Sequence, residues 1–452
     1  MAEINMSSGM YSNNLPQKVA VVGSGISGLS AAWLLGKKHR VTLFEKNAKL
    51  GGHTNTLSVE VDGKKQAVDT GFIVFNRPNY PYLSAMFEHL QVATQNTEMS
   101  FSASINEGEL EYSGNNLNTL FAQRRNLLSV AHWGMIRQIL RFNKQAKADL
   151  ANDDLLNVSL SLTLGDYLQK HGFSERMRDF YLLPMAAAIW SCPVSTMLQF
   201  PVRSFLNFFE NHGLLNIEDR PQWETVIGGS DRYIQAILDE EQFDVRLDSA
   251  VQQVEKTDIG LLLSLENGHE EYFDHIIFAS HADQTYRMLQ PELQFEFDTL
   301  SAFQYQENIA YLHSDTDLMP KRKLAWASWN YLRNTSHPEN RVAVTYWMNL
   351  LQNIETETPL LVTLNPIDLP KAESVFERIV YEHPVFDRNA MQAQHRLMDL
   401  QGKYNLWFCG AYTGYGFHED GLRSAVNLAR MWNIDLPWES ESKANEDKHH
   451  AQ

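Results

Sequence analysis

The sequence predicts an α/β protein with a Rossmann-like dinucleotide-binding domain and a second, discontinuous α+β domain made of a mixed sheet and a helical insert. Three observations lead to this expectation. Residues 18–45 follow the order strand, glycine-rich turn, helix, strand and acid. The length of 452 residues exceeds one typical domain. Aromatic strand patterns fill residues 308–380, far along the chain from that turn.

The glycine-rich turn has GxGxxG spacing. Gly23, Gly25 and Gly28 stand between an apolar strand at 19–22 and a helix over 30–35. In such a turn the first glycine permits the tight bend and the second lets a pyrophosphate approach the backbone. The third lets the helix lie close to the strand, and the helix N-terminus offers N–H groups to phosphates.

An acid and a second glycine pair narrow the choice of nucleotide. The strand at 41–44 ends on Glu45, where a carboxylate can accept hydrogen bonds from a free ribose 2′-hydroxyl. This favours FAD or NAD over NADP. Gly51 and Gly52 follow the acid closely and suit a long, extended cofactor that passes close to backbone. Gly71, before an apolar run, predicts another close approach along the cofactor.

Bulk properties exclude several classes of function. The net charge of −17 argues against general nucleic-acid binding. Cys192 and Cys409 are isolated, so we expect a reduced compartment and no metal site. No apolar run reaches the length of a membrane span, and residues 1–17 do not read as a signal peptide. These features predict a cytoplasmic protein with disordered ends at 1–17 and 437–452.

A basic stretch interrupts this acidic chain. Residues 112–148 contain no acid but carry six basic residues among apolar ones: Arg124, Arg125, Arg137, Arg141, Lys144 and Lys147. One interpretation is contact with an anionic lipid surface or acyl headgroup at the inner membrane face. The other is an ordinary helix pair with a solvated basic face. Both stay open from the sequence.

The helical insert, about 113–212, is rich in aromatic and small residues. Residues 186–188 beside Trp190, with Phe205, Phe208 and Phe209, either wall an apolar tunnel or form plain core.

The remaining chain alternates between the two domains. A glycine turn and helix span 226–238, a strand pair 245–255, and a meander crosses Asn267-Gly268. A buried strand ends near Ala279 and Ser280, and the last segment, 406–430, reads as strand, glycine-rich loop and helix. We therefore expect a dinucleotide-binding domain from 18–75, 215–285 and 400–436, and a substrate domain from 76–214 and 286–399.

Together these segments resemble the flavin amine oxidase and phytoene desaturase superfamily, whose cofactor domain is of the GR2 type. The match is carried by the GxGxxG unit with Glu45, by Gly51-Gly52, by 226–230, and by 408–410 with 419–421. The runs 69–80 and 327–331 more closely resemble one branch, the bacterial FAD-binding proteins often encoded beside cyclopropane-fatty-acid synthase-like methyltransferases.

The resemblance implies FAD, with the pyrophosphate on the glycine turn, the ribose on Glu45 and the adenine near Val251. It places Gly421, Leu422 and Ala425 near the isoalloxazine ring, beside a helix dipole that would stabilise negative charge on it. The implied cofactor-binding residues are Gly23, Ser24, Gly25, Ile26, Ser27, Gly28, Glu45, Lys46, Gly51, Gly52, His53, Thr54, Thr70, Gly71, Phe72, Val251, Ala279, Ser280, Gly410, Ala411, Gly421, Leu422 and Ala425.

Three positions depart from the superfamily pattern. His53 stands where many relatives carry an arginine, and Ala411 replaces a common acid. The best candidate for the strand that carries a flavin-side lysine in amine oxidases, 307–313, has no lysine.

Three functions are compatible with these features. The first is an FAD-dependent oxidoreductase that desaturates, saturates or isomerises an unsaturated or methyl-branched fatty-acyl chain. The second is an amine oxidase whose aromatic cage draws on Trp326, Trp329, Tyr331, Tyr412 or Tyr415. The third is a flavin-bound lipid carrier or scaffold for a partner methyltransferase, without turnover of its own.

The candidate catalytic residues are His418, Tyr412 and Tyr415, which lie in or beside the C-terminal glycine loop. His53, His281 and His313 are further histidines of interest.

Overall fold

The computed structural model describes residues 15–152, 162–190, 197–216, 220–240, 242–334 and 342–439. Its strands are β1 (Lys18–Val22), β2 (Arg40–Phe44), β3 (Thr56–Val61), β4 (Lys64–Asp69), β5 (Phe75–Asn76), β6 (Thr94–Thr97), β7 (Phe101–Ile105), β8 (Leu110–Ser113), β9 (Trp223–Val226), β10 (Asp244–Arg246), β11 (Val251–Thr257), β12 (Gly260–Leu265), β13 (Glu270–Phe273), β14 (His275–Phe278), β15 (Gln304–His313), β16 (Trp329–Arg333), β17 (Val342–Trp347), β18 (Leu361–Leu364), β19 (Val375–Val385) and β20 (Leu406–Phe408).

The helices lie between these strands and after them. They are α1 (Ile26–Gly36), α2 (Pro81–His89), α3 (Leu117–Leu120), α4 (Val130–Ala151), α5 (Leu164–Lys170), α6 (Glu175–Met177), α7 (Leu183–Trp190), α8 (Val202–Asn211), α9 (Arg232–Leu238), α10 (Ala282–Met288), α11 (Pro291–Glu296), α12 (Met348–Leu351), α13 (Arg388–Asp399) and α14 (His418–Met431). A π-turn, Arg178–Leu182, joins α6 to α7, and 3₁₀ turns span Arg124–Leu128, Asp298–Ala302, Thr316–Leu318, Lys323–Ala325, Ala372–Ser374, Lys403–Asn405 and Ala411–Thr413.

A five-stranded parallel sheet in the order β10-β2-β1-β14-β20 forms the core of one half of the structure, with strands from both ends of the chain. The central strand β1 is almost fully buried because its apolar side chains are covered on both faces. α1 packs against it, and α14 packs against α1. The predicted Rossmann-like arrangement is therefore confirmed.

Gly28 determines how close α1 comes to β1. A Cβ atom at this position would lie 1.8 Å from the carbonyl oxygen of Gly23. Any side chain would push the helix away from the turn, as expected for the third glycine of the motif.

A seven-stranded mixed sheet in the order β19-β15-β18-β17-β16-β7-β8 forms the second half. β16 and β7 are parallel, whereas the other neighbours are antiparallel. The helical insert covers one face, where α7 packs against β16 and β17. This arrangement confirms the predicted α+β layer.

Smaller sheets connect the two halves. β3 and β4 form the predicted hairpin, with Asp62 and Gly63 at positive φ in its turn. β11, β12 and β13 form the predicted meander. β5, β9 and β6 form a third small sheet, and it takes strands from both predicted domains. The exact domain boundaries stay a prediction.

Several element predictions were wrong. The strand pair expected at 245–255 is two strands in different sheets, because Asp248 turns the chain at positive φ. β10 joins β2 in the parallel sheet, while β11 begins the meander. Within the aromatic strands predicted over 308–380, the segment 324–331 becomes a strand only at Trp329, since residues 323–325 form a 3₁₀ turn. Helix α13 was not predicted at all.

The C-terminal boundaries also differ from expectation. α14 begins at His418, three residues before the glycine expected to open it. The tail predicted as disordered from 437 begins with a helical turn at 437–439, because Trp438 packs against Trp33 with ring centroids 6.1 Å apart. Residues 1–14 and 440–452, and Cys192, lie outside the described residues.

The predicted tunnel residues divide between core and cavity. Ala186, Phe205 and Phe209 are buried in the core of the helical insert, whereas Phe208 also lines a large cavity. The side chains of residues 187, 188 and 190 lie outside the described part of the structure.

Asp69 connects the two halves through a buried carboxylate. One oxygen accepts hydrogen bonds from Ser230 N at 2.9 Å, Ser230 Oγ at 2.8 Å and Thr56 Oγ1 at 2.6 Å. The other accepts from Gln352 Nε2 at 2.9 Å. The fully buried Asp69 side chain (0% exposed) therefore joins three segments: the β3–β4 hairpin, the glycine turn before α9, and the end of α12.

We expect Asp69→Ala to lower the free energy of unfolding by about 3 kcal/mol, because several buried donors lose a charged acceptor. Denaturant midpoints measure this. Glu60→Ala, an exposed acid on the same hairpin, serves as the control and should change stability by no more than about 0.5 kcal/mol. A loss below about 1 kcal/mol for Asp69→Ala would contradict the linking role.

Candidate active site

A cavity of about 1040 Å³ runs from the C-terminal edge of the parallel sheet to the seven-stranded sheet and helical insert. One end is lined by the glycine turn and by the segments that follow β2 and β14. The other end is lined by aromatic and aliphatic side chains. The volume lies just above the roughly 300–1,000 Å³ typical of ligand sites.

The glycine turn faces this cavity with its backbone. Gly23 has a φ of 102°, and α1 starts at Ile26 with Gly25 before it. A Cβ atom on Gly25 would meet nothing within 4 Å, so this part of the turn is open towards the cavity. Free N–H groups at the start of α1 are therefore available to an anionic group.

Glu45 is buried beside the turn. Its Oε2 accepts hydrogen bonds from Ser24 N at 3.1 Å and Ser24 Oγ at 2.5 Å. Its Oε1 accepts from Asn47 N and Asn47 Nδ2, both at 2.9 Å. A carboxylate has about four acceptor positions. A ribose hydroxyl would therefore replace one of the two side-chain donors, Ser24 Oγ or Asn47 Nδ2.

The second glycine pair packs against the first turn. Gly51 N donates to Ser24 O at 3.1 Å, and a Cβ atom on Gly52 would lie 3.3 Å from Gly25 Cα. Both glycines have positive φ. Together the two turns form one backbone-lined wall, which suits a diphosphate.

His418 occupies the first position of α14 and lines the cavity. Its Nε2 lies 2.9 Å from Thr54 Oγ1 and 3.2 Å from Tyr233 OH. The ring stacks on Phe72 with centroids 3.9 Å apart and planes 8° apart. Burial, with His53 nearby, lowers the pKa of His418 to about 3, so the ring is neutral at pH 7.

The other candidate catalytic residues have different surroundings. Both Tyr412 and Tyr415 line the cavity, and burial raises the pKa of each. The Tyr412 ring packs edge-on against Phe303 at 4.9 Å, and its buried hydroxyl has no hydrogen-bond partner among the described residues.

Three more histidines lie along or near the cavity. His53 and His281 line it, and burial lowers the pKa of both to about 4. His313 does not line it: its Nε2 bonds Thr363 Oγ1 at 2.7 Å and its Nδ1 accepts from Asp315 N at 3.0 Å. His313 is therefore a buried hydrogen-bonding residue of β15.

Most predicted cofactor residues line this one cavity. They are Gly23, Ser24, Gly25, Ile26, Ser27, Glu45, Lys46, Gly51, Gly52, His53, Thr54, Thr70, Gly71, Phe72, Val251, Ala279, Ser280, Gly410 and Ala411. Their assignment to a cofactor stays a prediction.

Four predicted residues do not line the cavity. Gly28 and Gly421 are points of close contact between elements. A Cβ atom on Gly28 would meet the Gly23 carbonyl oxygen of the turn, and one on Gly421 of α14 would lie 2.7 Å from Ile26 Cγ2 of α1. Leu422 and Ala425 are 0% exposed and belong to the core shared with α1. From α14, His418 lines the cavity, and the place of Gly421, Leu422 and Ala425 near the isoalloxazine ring stays a prediction.

Three of the five aromatic residues from which the amine-oxidase alternative draws its cage line the cavity. Trp329, Tyr412 and Tyr415 line the cavity, whereas Tyr331 is buried in the core. Trp326 packs on Trp347 at 5.4 Å, away from the cavity, and donates to Pro320 O.

Sequence reasoning missed Tyr233, Tyr381 and His383. The alternation of Tyr381 and His383 on β19 was a signal that both face one side of the sheet. The helix after the 226–230 turn carried Tyr233, but only the fold shows that it meets His418.

The sequence pattern of flavin-containing amine oxidoreductases matches residues 26–350. The chain belongs to this family. It is therefore an FAD-dependent oxidoreductase, and FAD is its cofactor. The structure fits that cofactor, because the Gly25 backbone is open to the cavity and His53 presents a buried Nε2 without a partner among the described residues.

Individual relatives of this flavin-containing amine oxidoreductase differ in activity. The L-amino-acid oxidase of Pseudechis australis is 46% identical over 56 residues, which is 12% of this chain and 11% of that enzyme. The chain thus matches only a small part of that relative's length.

Solved structures match over nearly the whole chain. A conjugated-linoleic-acid (CLA)-producing fatty acid isomerase from P. acnes has a TM-score of 0.63 at 13% identity, covering 92% of this chain and 98% of that one. A putrescine oxidase bound to putrescine has a TM-score of 0.62 at 18% identity, with the same coverage. At these identities the likeness shows the fold.

We expect Glu45→Ala to weaken FAD binding at least tenfold, because one charged hydrogen bond contributes about 1.5–3 kcal/mol. Fluorescence titration of the apoprotein with FAD measures the change. Glu255→Ala, an acid outside the cavity, controls for loss of charge. Equal affinity for Glu45→Ala and the wild-type protein would contradict the ribose assignment.

Proposed function

We propose that this protein is an FAD-dependent oxidoreductase acting on an unsaturated or methyl-branched fatty-acyl chain, by desaturation, saturation or isomerisation. The observation that carries this proposal is the chemical difference between the two ends of one cavity. A backbone-lined polar end suits FAD, and an apolar end suits a long hydrocarbon.

The apolar end matches an acyl chain in shape and charge. It is lined by Phe101, Tyr112, Tyr181, Met185, Ile189, Phe208, Leu214, Trp329 and Tyr346. Among the described lining residues at this end there is a guanidinium, Arg220, and no carboxylate. An acyl carboxylate would be attracted by this charge, whereas an ammonium group would be repelled.

The histidines support chemistry without a charged base. His53, His281 and His418 are neutral at pH 7 because burial lowers the pKa of each. Hydrogen transfer to or from a hydrocarbon needs orientation and exclusion of water more than a strong base. The stacked rings of Phe72 and His418 supply a rigid, dry wall.

The alternatives have less support. Against an amine oxidase stands the guanidinium of Arg220 at the apolar end, which would repel an ammonium group, although Trp329, Tyr412 and Tyr415 line the cavity. A lipid carrier for a partner methyltransferase is supported by the sequence resemblance alone.

We expect the holoenzyme to convert a panel of unsaturated and methyl-branched fatty acids under anaerobic conditions. Mass spectrometry of the fatty acid should show one of three changes. Enzyme that starts with oxidised flavin would remove two hydrogens, enzyme that starts with reduced flavin would add two, and an isomerase would move a double bond. Putrescine and benzylamine are the matched amine panel and should leave the flavin absorbance unchanged.

The outcomes separate the three functions. Bleaching of the flavin by an amine would overturn the proposal in favour of an amine oxidase. Tight acyl binding without product or flavin change would overturn it in favour of a carrier.

We also propose that the substrate reaches the enzyme from an anionic membrane surface. Leu128 and Val130 are 92% and 88% exposed, and Leu117 and Trp133 are exposed beside them. We call these four residues with Arg124, Arg125, Arg137, Arg141 and Lys144 the basic apolar surface. No helix in the described ranges is long and apolar enough to cross a membrane.

This surface lies close to the cavity. Gly114, which is exposed and lines the cavity, precedes α3, and the Thr119 hydroxyl at the end of α3 bonds Ser113 O at 3.1 Å. Exposed apolar side chains with cations around them suit a membrane with anionic headgroups. An ordinary solvated helix face would not expose large apolar side chains.

We expect vesicles with phosphatidylglycerol to sediment the protein, and pure phosphatidylcholine vesicles not to. Arg137→Glu with Lys144→Glu should reduce binding at least tenfold, since each cation near such a surface contributes about 1 kcal/mol. Leu128→Ser should also reduce binding because it removes an exposed apolar group from this surface, and Phe295→Ser, at an exposed apolar residue elsewhere, is its control. Equal sedimentation by both lipids would contradict the proposal.

A further inference from the structure

Arg220 lies where the apolar end of the cavity meets solvent. It lines the cavity and is also an exposed residue, so the cavity opens here. We call this opening the mouth. The backbone beside it is closely packed, because a Cβ atom on Gly213 would lie 2.7 Å from Pro221 Cδ and 3.7 Å from Arg220 Cα. Asn216 Oδ1 accepts a hydrogen bond from Lys147 Nζ, which connects the mouth to α4 and its basic apolar surface.

One hydrogen bond orients the guanidinium group at the mouth. Arg220 Nε donates to the carbonyl oxygen of Asn216 at 3.2 Å, and this is its one hydrogen bond among the described residues. The two Nη atoms at the end of the fork therefore remain available. Their parallel N–H groups match the two oxygens of a planar carboxylate.

The other ionisable side chains at this end of the cavity are uncharged at pH 7. His212 Nδ1 lies 2.9 Å from the carbonyl oxygen of Phe208, and burial lowers the pKa of His212 to about 4. Burial raises the pKa of the lining tyrosines, Tyr112, Tyr181 and Tyr346. Among the described residues lining this end, the charge is thus that of Arg220. It can pair with one anionic group.

One apolar strip extends from the mouth along the cavity. The Tyr181 hydroxyl lies within reach of the Arg220 charge. Tyr181, Met185 and Ile189 all line the cavity, and their spacing of four residues puts them on one helix face. Eight helical residues span about 12 Å. A hydrocarbon chain can lie along this strip while an anionic group at its end stays beside Arg220.

We propose that Arg220 binds the carboxylate of an unesterified fatty acid at the mouth, and that the methyl end of the chain points into the cavity. Arg220 is then a specificity-determining residue, and the enzyme takes the free acid in preference to its esters. The inference rests on the proposed acyl function and adds the chemical form and the orientation of the substrate.

Binding of oleate and of methyl oleate to the holoenzyme tests this contact, with isothermal titration calorimetry at pH 8. Arg220→Gln should weaken oleate binding about tenfold or more, because a charged bidentate pair is lost, and should leave methyl oleate binding unchanged. Arg220→Lys keeps the charge without the fork, so its affinity for oleate should be intermediate. Arg396→Gln, at an exposed arginine outside the cavity, is the matched control and should bind both compounds normally.

The ionisation and the position of the head group can be measured with FAD bound. In NMR spectra, ¹³C-carboxyl oleate should titrate about one pH unit lower on the unaltered protein than on Arg220→Gln, because a nearby cation favours the carboxylate. A water-soluble gadolinium chelate should broaden this carboxyl signal more than the signal of oleate labelled at its methyl carbon. Stronger broadening of the methyl signal would overturn the proposal.

The outcomes separate this inference from the proposed function. Oleate binding that Arg220→Gln leaves unchanged would overturn the role of Arg220 while the acyl function stands. Equal losses for oleate and methyl oleate would overturn it as well, because they would indicate a reshaped cavity. Tighter binding of oleoyl lysophosphatidylglycerol than of oleate would replace the carboxylate by a phospholipid head group. Binding of none of these compounds would overturn the acyl function together with this inference.

Discussion

The close contact between α1 and β1 at Gly28 is the constraint on which the site depends. Because no side chain separates Gly28 from the Gly23 carbonyl, α1 lies directly on the parallel sheet. α14 then packs against α1 through Gly421, which admits Ile26 and Ser27 at van der Waals range. This second contact holds the first turn of α14 against α1, and His418 at the start of α14 lies on the cavity wall beside Thr54 and Tyr233.

The same framework separates polar from apolar surroundings within one cavity. Backbone amides, Glu45 and the second glycine pair line one end, and side chains of the helical insert line the other. Between them the wall consists of imidazole and phenol groups that stay uncharged at pH 7 because they are buried. These uncharged rings suit the part of the cavity between a polar diphosphate and a hydrocarbon, and Glu382 near His281 is a charged group on the same wall.

Short local patterns allowed the dinucleotide half to be predicted from sequence. The glycine spacing, Glu45 and Gly51-Gly52 each reflect a backbone or hydrogen-bonding requirement within a few residues. The opposite wall of the cavity could not be predicted in this way. Tyr233 meets His418 across 185 residues, and Asn308 meets His383 across 75. Leu422 and Ala425 lie in the core shared with α1, and their nearness to the flavin ring stays a prediction because no local pattern fixes which turn of α14 the ring would meet.

The distance along the chain between the two sides of the site has a consequence for biosynthesis. Thr54 and His418 are in contact although 364 residues separate them. The parallel sheet also needs β20, from the same C-terminal region, beside β14. A nascent chain therefore has the glycine turn long before it has the opposite wall. Cofactor capture must wait until the C-terminal helix has been synthesised and docked, so FAD availability would influence the last stage of folding rather than the first.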